Sequence, residues 1–284
     1  MVTTLESLRT LLASRLPEGT SALEIKELCC HAAGVERSRY LSSLKESFEI
    51  DPRELEDCIA RMSQGEPIAY ILGQWDFMDY TFTVDRRALI PRDDSVAVIY
   101  TAVECLRISD RSKTIRLLDL CCGSGVLGIS LALKLRDAGF KCELTLADIS
   151  DEALSLTAEN ARKLEVEARI VKVDALSNEP DVGSFEAIIC NPPYIRRGDI
   201  EGLDPSVRDY EPMLALDGGP DGLIFYRAVS ENFKKCISRG GFLIFEVGYD
   251  QSREVCDIVR GCGYGDVGVR KDLSGIERVV WARR

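Results

Sequence analysis

Apolar residues in the first part of the chain recur at helical spacing. Leu5, Leu8, Leu11, Leu12 and Leu16 fall three or four positions apart and share one face. Ser21 to Cys30 and Ser38 to Leu44 predict two further short helices. Asp51-Pro52 reads as an N-cap followed by a proline at the first helical position, opening a helix that runs to Met62. The pattern then changes. Gln74-Trp-Asp-Phe-Met-Asp-Tyr-Thr-Phe-Thr-Val84 alternates aromatics and threonines around Met78-Asp79, which predicts a β-hairpin.

From about Asp93 strand and helix patterns alternate. Ile115 to Leu120, Cys142 to Ala147, Arg169 to Val173, Phe185 to Cys190 and Gly241 to Val247 read as strands. Gly125 to Leu135, Asp151 to Leu164 and Gly222 to Ser238 read as helices, and Ile276 to Trp281 as a late strand. Such alternation predicts an α/β fold, a largely parallel sheet with helices on both faces. Ligands in such sheets bind beyond the carboxyl ends of the strands, near the reversal of strand order. The expected division is a helical bundle over 1–73, a hairpin linker over 74–92 and an α/β domain over 93–284.

Composition narrows this picture. With 284 residues, 45% of them hydrophobic, the chain can fill a sizeable core. Its longest apolar runs, such as Phe242 to Phe245, are strand-sized, so no membrane span is expected. Met1 to Leu12 carries Glu6 and Arg9 and has no apolar core of a secretion signal. The eleven cysteines are odd in number and include the adjacent pairs Cys29-Cys30 and Cys121-Cys122. No Cys-x-x-Cys occurs, and His31 is the only histidine. That usage predicts thiols in a reducing cytoplasm, with neither a disulfide framework nor a metal site. The net charge of −11 argues against extended contact with nucleic-acid phosphates.

Three strand ends carry candidate chemistry. Asp119-Leu-Cys-Cys-Gly-Ser-Gly125 joins a strand to a helix with small residues that let the backbone approach a ligand closely. Asp148 ends the next strand, where a carboxylate can accept from ribose hydroxyls; Ser150 or Asp151 beside it can cap the following helix. Asp174 closes a third strand and can accept from an adenine amino group. NAD and S-adenosylmethionine both satisfy this much. The fourth strand runs into Asn191-Pro-Pro-Tyr194. Pro193 has no N–H, so the Pro192 carbonyl is left to accept from a ligand, and the Asn191 side-chain oxygen is a second acceptor. Together they can hold both hydrogens of a planar NH2 group, with the Tyr194 ring stacked on it. Such a grip draws the nitrogen lone pair out of conjugation and aims it at a sulfonium methyl, an alignment worth roughly 7–11 kcal/mol. This motif favours S-adenosylmethionine over NAD.

At these residues the sequence resembles the class I (Rossmann-like) S-adenosylmethionine-dependent methyltransferases that act on amino nitrogens. Within them it is most similar to the HemK/PrmC protein-(glutamine-N5) methyltransferases. The resemblance spans nearly the whole chain. It includes Glu66-Pro-Ile-Ala-Tyr-Ile-Leu-Gly73, Phe77, Phe82 and Leu89-Ile-Pro-Arg92. It continues through Glu211-Pro212, Ala215-Leu-Asp-Gly-Gly219, Asp221-Gly222, Glu246, Gly248 and Gln251, and closes with Asp272-Leu-Ser-Gly275 and Arg278. Asn-Pro-Pro-Tyr alone is shared with adenine-N6 nucleic-acid methyltransferases, the alternative reading; the flanking segments are not.

The resemblance implies methyl transfer to the glutamine of the Gly-Gly-Gln loop of peptide chain release factors, in the cytoplasm, supporting translation termination. It implies that Cys121, Cys122, Gly123, Ser124 and Gly125 line the methionine part of the cofactor, that Asp148 takes the ribose and Asp174 the adenine, and that Asn191, Pro192, Pro193 and Tyr194 hold the glutamine. It also implies that the N-terminal bundle docks the release factor. The chain departs from the family pattern at Cys121, a first glycine position, at Val96, where a glutamate is usual, and at Ala175, where an aromatic often follows the aspartate.

Overall fold

A computed structural model describes residues 1–107 and 112–284, which form two compact units. The first comprises Met1–Gln74 together with Asp204–Tyr210. In it β1 (Val2–Thr4) leads into α1 (Leu5–Arg15), followed by α2 (Ala22–Ala33), β2 (Ser47–Glu49), α3 (Pro52–Ser63) and α4 (Ile68–Leu72). The helix starts follow local chemistry. Thr4 caps α1, Ser21 and Glu24 form a reciprocal capping box on α2, and Asp51 caps α3 ahead of Pro52. Leu5, Leu8, Leu12, Leu28 and Leu55 are fully buried at the centre of this unit. β1 and β2 pair antiparallel. The helix expected over Ser38 to Leu44 is absent. Arg37–Arg39 forms one 3-10 turn and the chain continues in turns, with the Ser42 hydroxyl bonded back to the Arg39 carbonyl. Closely spaced serines compete for backbone groups and shorten helices in this way.

The second unit comprises Trp75–Leu203 and Glu211–Arg284. The hairpin β3 (Gln74–Phe77) and β4 (Tyr80–Thr83) forms where expected. It folds as part of this unit: Phe77 and Phe82 are buried, and Asp79 pairs with Lys134. Then follow α5 (Val96–Leu106), β5 (Thr114–Leu120), α6 (Val126–Asp137), β6 (Lys141–Asp148), α7 (Asp151–Lys163), β7 (Ala168–Lys172) and β8 (Phe185–Cys190). After β8 the short α8 (Pro205–Arg208) belongs to the first unit; α9 (Ile224–Asn232), β9 (Ile237–Glu246), α10 (Ser252–Gly261), β10 (Gly265–Lys271) and β11 (Glu277–Arg283) return to the second. The helix expected to reach Ser238 stops at Asn232. Phe233 is completely buried, and Ile237 is already paired with Phe185 in the sheet.

The seven strands of the main sheet lie in the order β10-β11-β9-β8-β5-β6-β7. β11 pairs antiparallel with both β10 and β9, and the remaining pairs are parallel. The central strands β8 and β9 are nearly continuous apolar runs, as burial on both faces requires. Strand order reverses between β5 and β8, the place where a doubly wound sheet opens a crevice. No helix among the described residues is long and apolar enough to cross a membrane.

Candidate active site

Register brings the four candidate loops to one edge of the sheet. Leu120, the last residue of β5, lies opposite Ala147 on β6 and Cys190 on β8, and Asp148 lies opposite Lys172 on β7. The segments beginning at Cys121, Asp148, Val173 and Asn191 therefore leave the sheet side by side at the reversal of strand order.

The loop after β5 is tied down along its length. Cys121, Gly123 and Gly125 have φ of 61°, 55° and 80°. Cys121 thus adopts the left-handed conformation that glycine takes freely. Its neighbour Cys190, the residue before Asn191, together with burial pushes its thiol well above the usual thiol range. The Cys122 N–H donates to the Ala147 carbonyl at 3.0 Å, and the Thr157 hydroxyl donates to the Gly123 carbonyl at 2.7 Å. Asn160, fully buried on α7, donates to the Ser124 carbonyl and bonds both backbone groups of Thr83 on the hairpin. A Cβ added at Gly123 would meet only Ala88, at 3.8 Å, so space lies open above the loop.

The three aspartates differ in environment. Asp119 is buried, and its Oδ2 accepts from the Gly128 N–H at 2.7 Å, which pins the first turn of α6. Its Oδ1 has no partner among the described residues, and burial pushes the carboxyl up to about 7. Asp119 therefore builds the loop from beneath. Asp148 is half-buried and accepts from the Gly123 and Ser150 N–H groups at 2.9 and 3.0 Å. Those bonds aim the carboxylate and leave lone pairs for a further donor. The rival role at this strand end falls to Ser150, which caps α7. Asp174 is exposed and accepts from the Leu176 N–H at 2.8 Å, closing a tight turn. Ala175 beside it is buried in the core.

Asn191 and Tyr194 are half-buried, and Pro192 and Pro193 buried. Enclosure raises the Tyr194 hydroxyl above its ordinary range. The loop is braced from behind by residues whose place the sequence did not reveal. Gln251, buried at the start of α10, donates to the carbonyls of Tyr194 (2.9 Å) and Gly222 (3.3 Å) and accepts from Gly248 (3.0 Å). The Asp217 to Gly222 turn packs on the same backbone. Gly218 donates to the Ile195 carbonyl, and a Cβ at Gly218 or Gly222 would come within 2.7 or 2.4 Å of Tyr194 main-chain atoms. Glu246, at the end of β9, is 2% exposed, and burial pushes its carboxyl up to about 7. Arg92 pairs with buried Glu211. In sequence, Glu246 and Gln251 stood out only as part of the family resemblance, with no role attached.

Chemically, the edge offers a small-residue cradle with an aimed carboxylate beside it. One strand away lies a rigid pair of acceptors with an enclosed aromatic ring. A nucleoside carrying a short polar chain fits the first, and a planar NH2 group fits the second. No group of three or more His, Cys, Asp or Glu among the described residues is placed to hold a metal ion.

Residues 5–73 match the family model of the PrmC N-terminal domain, and residues 102–203 match that of the methyltransferase small domain. The release factor glutamine methyltransferase of Moorella thermoacetica is 36% identical over 267 residues, which is 92% of this chain and 91% of that one. Its counterpart from Clostridium acetobutylicum is 34% identical over 257 residues, 88% and 87% of the two chains. Among solved structures, the hMettl16 catalytic domain in complex with MAT2A 3'UTR hairpin 6 matches at a TM-score of 0.55. It shares 14% identity over 71% of this chain and 74% of that one, a likeness of fold.

Proposed function

Since the chain belongs to the release factor glutamine methyltransferase family, we propose that it transfers a methyl group from S-adenosylmethionine to the side-chain amide nitrogen of the glutamine in the Gly-Gly-Gln loop of peptide chain release factors. The observation that carries this reading is the juxtaposition of the Cys121–Gly125 loop and Asn191–Tyr194 on adjacent strands, through the Leu120–Cys190 register.

Bound S-adenosylmethionine supplies an electrophilic sulfonium methyl. Cys121, Cys122, Gly123, Ser124 and Gly125 would take its methionine part, Asp148 the ribose hydroxyls and Asp174 the adenine edge. Asp119 supports them by holding α6. The Asn191 oxygen and the Pro192 carbonyl accept the two amide hydrogens of the glutamine, which points its lone pair out of the grip. Tyr194 covers one face of the planar group and keeps water from it. The grip has to supply orientation, because an amide nitrogen is a weak nucleophile. It need not supply a strong base, since the alkylated amide is acidic and sheds its proton afterwards. Unit 1, including Asp204–Tyr210, is the surface proposed to dock the release factor.

The test offers methyl-labelled S-adenosylmethionine with purified release factor, the same factor with the loop glutamine changed to alanine, DNA and RNA side by side. Label confined to the intact release factor supports the reading. Label on nucleic acid, or equal label on the alanine variant, overturns it. Asn191→Ala should abolish transfer and leave cofactor affinity within about threefold, since its lost contact belongs to the substrate.

A further inference from the structure

We propose that Arg92, anchored on the buried carboxylate of Glu211, binds the α-carboxylate of the cofactor's methionine part. The assignment rests on the reading that seats that part on the Cys121–Gly125 loop, and it adds a residue for which that reading names no role.

A carboxylate seated on this loop would first seek backbone N–H groups. Most of those are already given away. Cys122 donates to the Ala147 carbonyl at 3.0 Å, Gly123 to the Asp148 carboxylate at 2.9 Å and Gly125 to the Cys122 carbonyl at 2.7 Å. Asp148 and Asp174 add negative charge to the same edge of the sheet. A further anion therefore needs a cation from outside the loop. Arg87 cannot supply it, because its whole fork is taken by Asp85 and Glu159. Arg278 cannot either. It is 8% exposed, and its three nitrogens meet Asp272, the Val247 carbonyl and Asp94.

Arg92 differs from both. It gives Nη2 to Glu211, while its Nε and Nη1 have no partner among the described residues, and its side chain is 43% exposed. The Glu211 side chain is 1% exposed, and its Oε2 has no partner among the described residues, so the carboxylate leans on Arg92. Burial pushes the Glu211 carboxyl up and Arg92 draws it down. A buried anion that holds one arm of a planar guanidinium sets the direction of its other donors in advance. The place is also right. A Cβ at Gly123 would meet Ala88, so the segment after the hairpin passes beside the cofactor loop. Arg92 lies four residues further on, at most about 14 Å of chain. There it meets Glu211, and five residues beyond Glu211 the Leu216 carbonyl accepts from the Ile195 N–H, just past Tyr194. Ala88 to Arg92 thus runs from the cofactor loop to the wall of the Asn191–Tyr194 loop, alongside the space between them that the methionine part has to cross.

The experiment is calorimetry with S-adenosylmethionine and with its decarboxylated analogue, which keeps the adenosine, the sulfonium and the amino group. It compares wild type, Arg92→Ala, and Arg92→Met combined with Glu211→Gln. The double variant removes the cation and the buried charge together and decides the matter should Arg92→Ala fail to fold. Wild type should bind S-adenosylmethionine about 10- to 100-fold more tightly than the analogue. The variants should bind the two within about threefold of each other, with the loss falling on S-adenosylmethionine and the affinity for the analogue little changed. A general loosening of the pocket would weaken both. A variant that keeps the wild-type preference, or a wild type without one, overturns the assignment. So does a variant with wild-type cofactor affinity and a raised KM for release factor, which would give Arg92 to the protein substrate. An Arg92-dependent preference in a protein that methylates no release factor upholds the assignment and overturns the functional reading. Transfer to release factor by a protein whose preference ignores Arg92 does the reverse.

Discussion

Gln251 holds the Asn-Pro-Pro-Tyr loop with one buried amide that donates to two carbonyls and accepts from the Gly248 N–H and the Tyr226 hydroxyl. A carboxylate in its place would face two carbonyls with no hydrogen to give. Gln251→Glu is therefore expected to cost about 2–3 kcal/mol of stability, the penalty for stranding buried partners, as read from urea unfolding. A midpoint equal to wild type would show that the carbonyls find other donors. Legibility at this scale followed chemistry. The place of Asn191 to Tyr194 just past a strand was readable because the apolar run Phe185 to Cys190 stops there. Gln251 and Asn160 were not, because an amide on a helix reads as a surface residue until the fold buries it. Cys121 was legible as a departure from glycine, and its φ of 61° shows what that departure entails.

Among the elements, α7 has a second job besides covering the sheet. Its buried face carries Asn160 in phase with Ala153, Leu156 and Thr157. Through that one side chain it joins the cofactor loop to the hairpin. Asn160→Leu should lower stability by about 2–4 kcal/mol, since Ser124 and Thr83 keep buried groups without partners. It should also weaken binding of S-adenosylmethionine, measured by calorimetry, because the loop loses its anchor. Unchanged affinity would mean that the remaining Cys122 and Gly123 bonds suffice. The alternating strands and helices of the sheet could be read from the chain because each is a long apolar or periodic run. Other elements could not. α5 is apolar on most sides and has no clear period, and β1 and β2 span three residues each and exist only by pairing with one another.

For the whole molecule, two buried carboxyls, Asp119 and Glu246, are both pushed up to about 7. A carboxyl raised in the folded state binds its proton more tightly there than in the unfolded chain. Its contribution to stability is complete below the unfolded value, near 4, and is lost as pH rises through 7. An asparagine in place of Asp119 would keep an acceptor for the Gly128 N–H and would not titrate. Asp119→Asn should accordingly be more stable than wild type at pH 8, by about 1–3 kcal/mol, with the gap closing toward pH 5 in urea unfolding. A gap of equal size at both pH values would rule out titration as its source. The architecture as a whole was legible from its alternation. The two-unit division was less so, because nothing local marks Asp204–Tyr210 as belonging with the N-terminal helices.

That short return has a practical meaning for anyone exchanging parts between relatives. The Tyr210 hydroxyl donates to the Gln64 carbonyl at 2.8 Å, closing a contact between positions far apart in the chain. The first unit is thus encoded in two pieces, and a graft cut once at residue 74 would transplant only one of them. Such a chimera should melt lower than one that also carries the donor's 204–210. The paired graft should recover most of the loss. Modularity here is a property of the folded object and not of the gene's linear order.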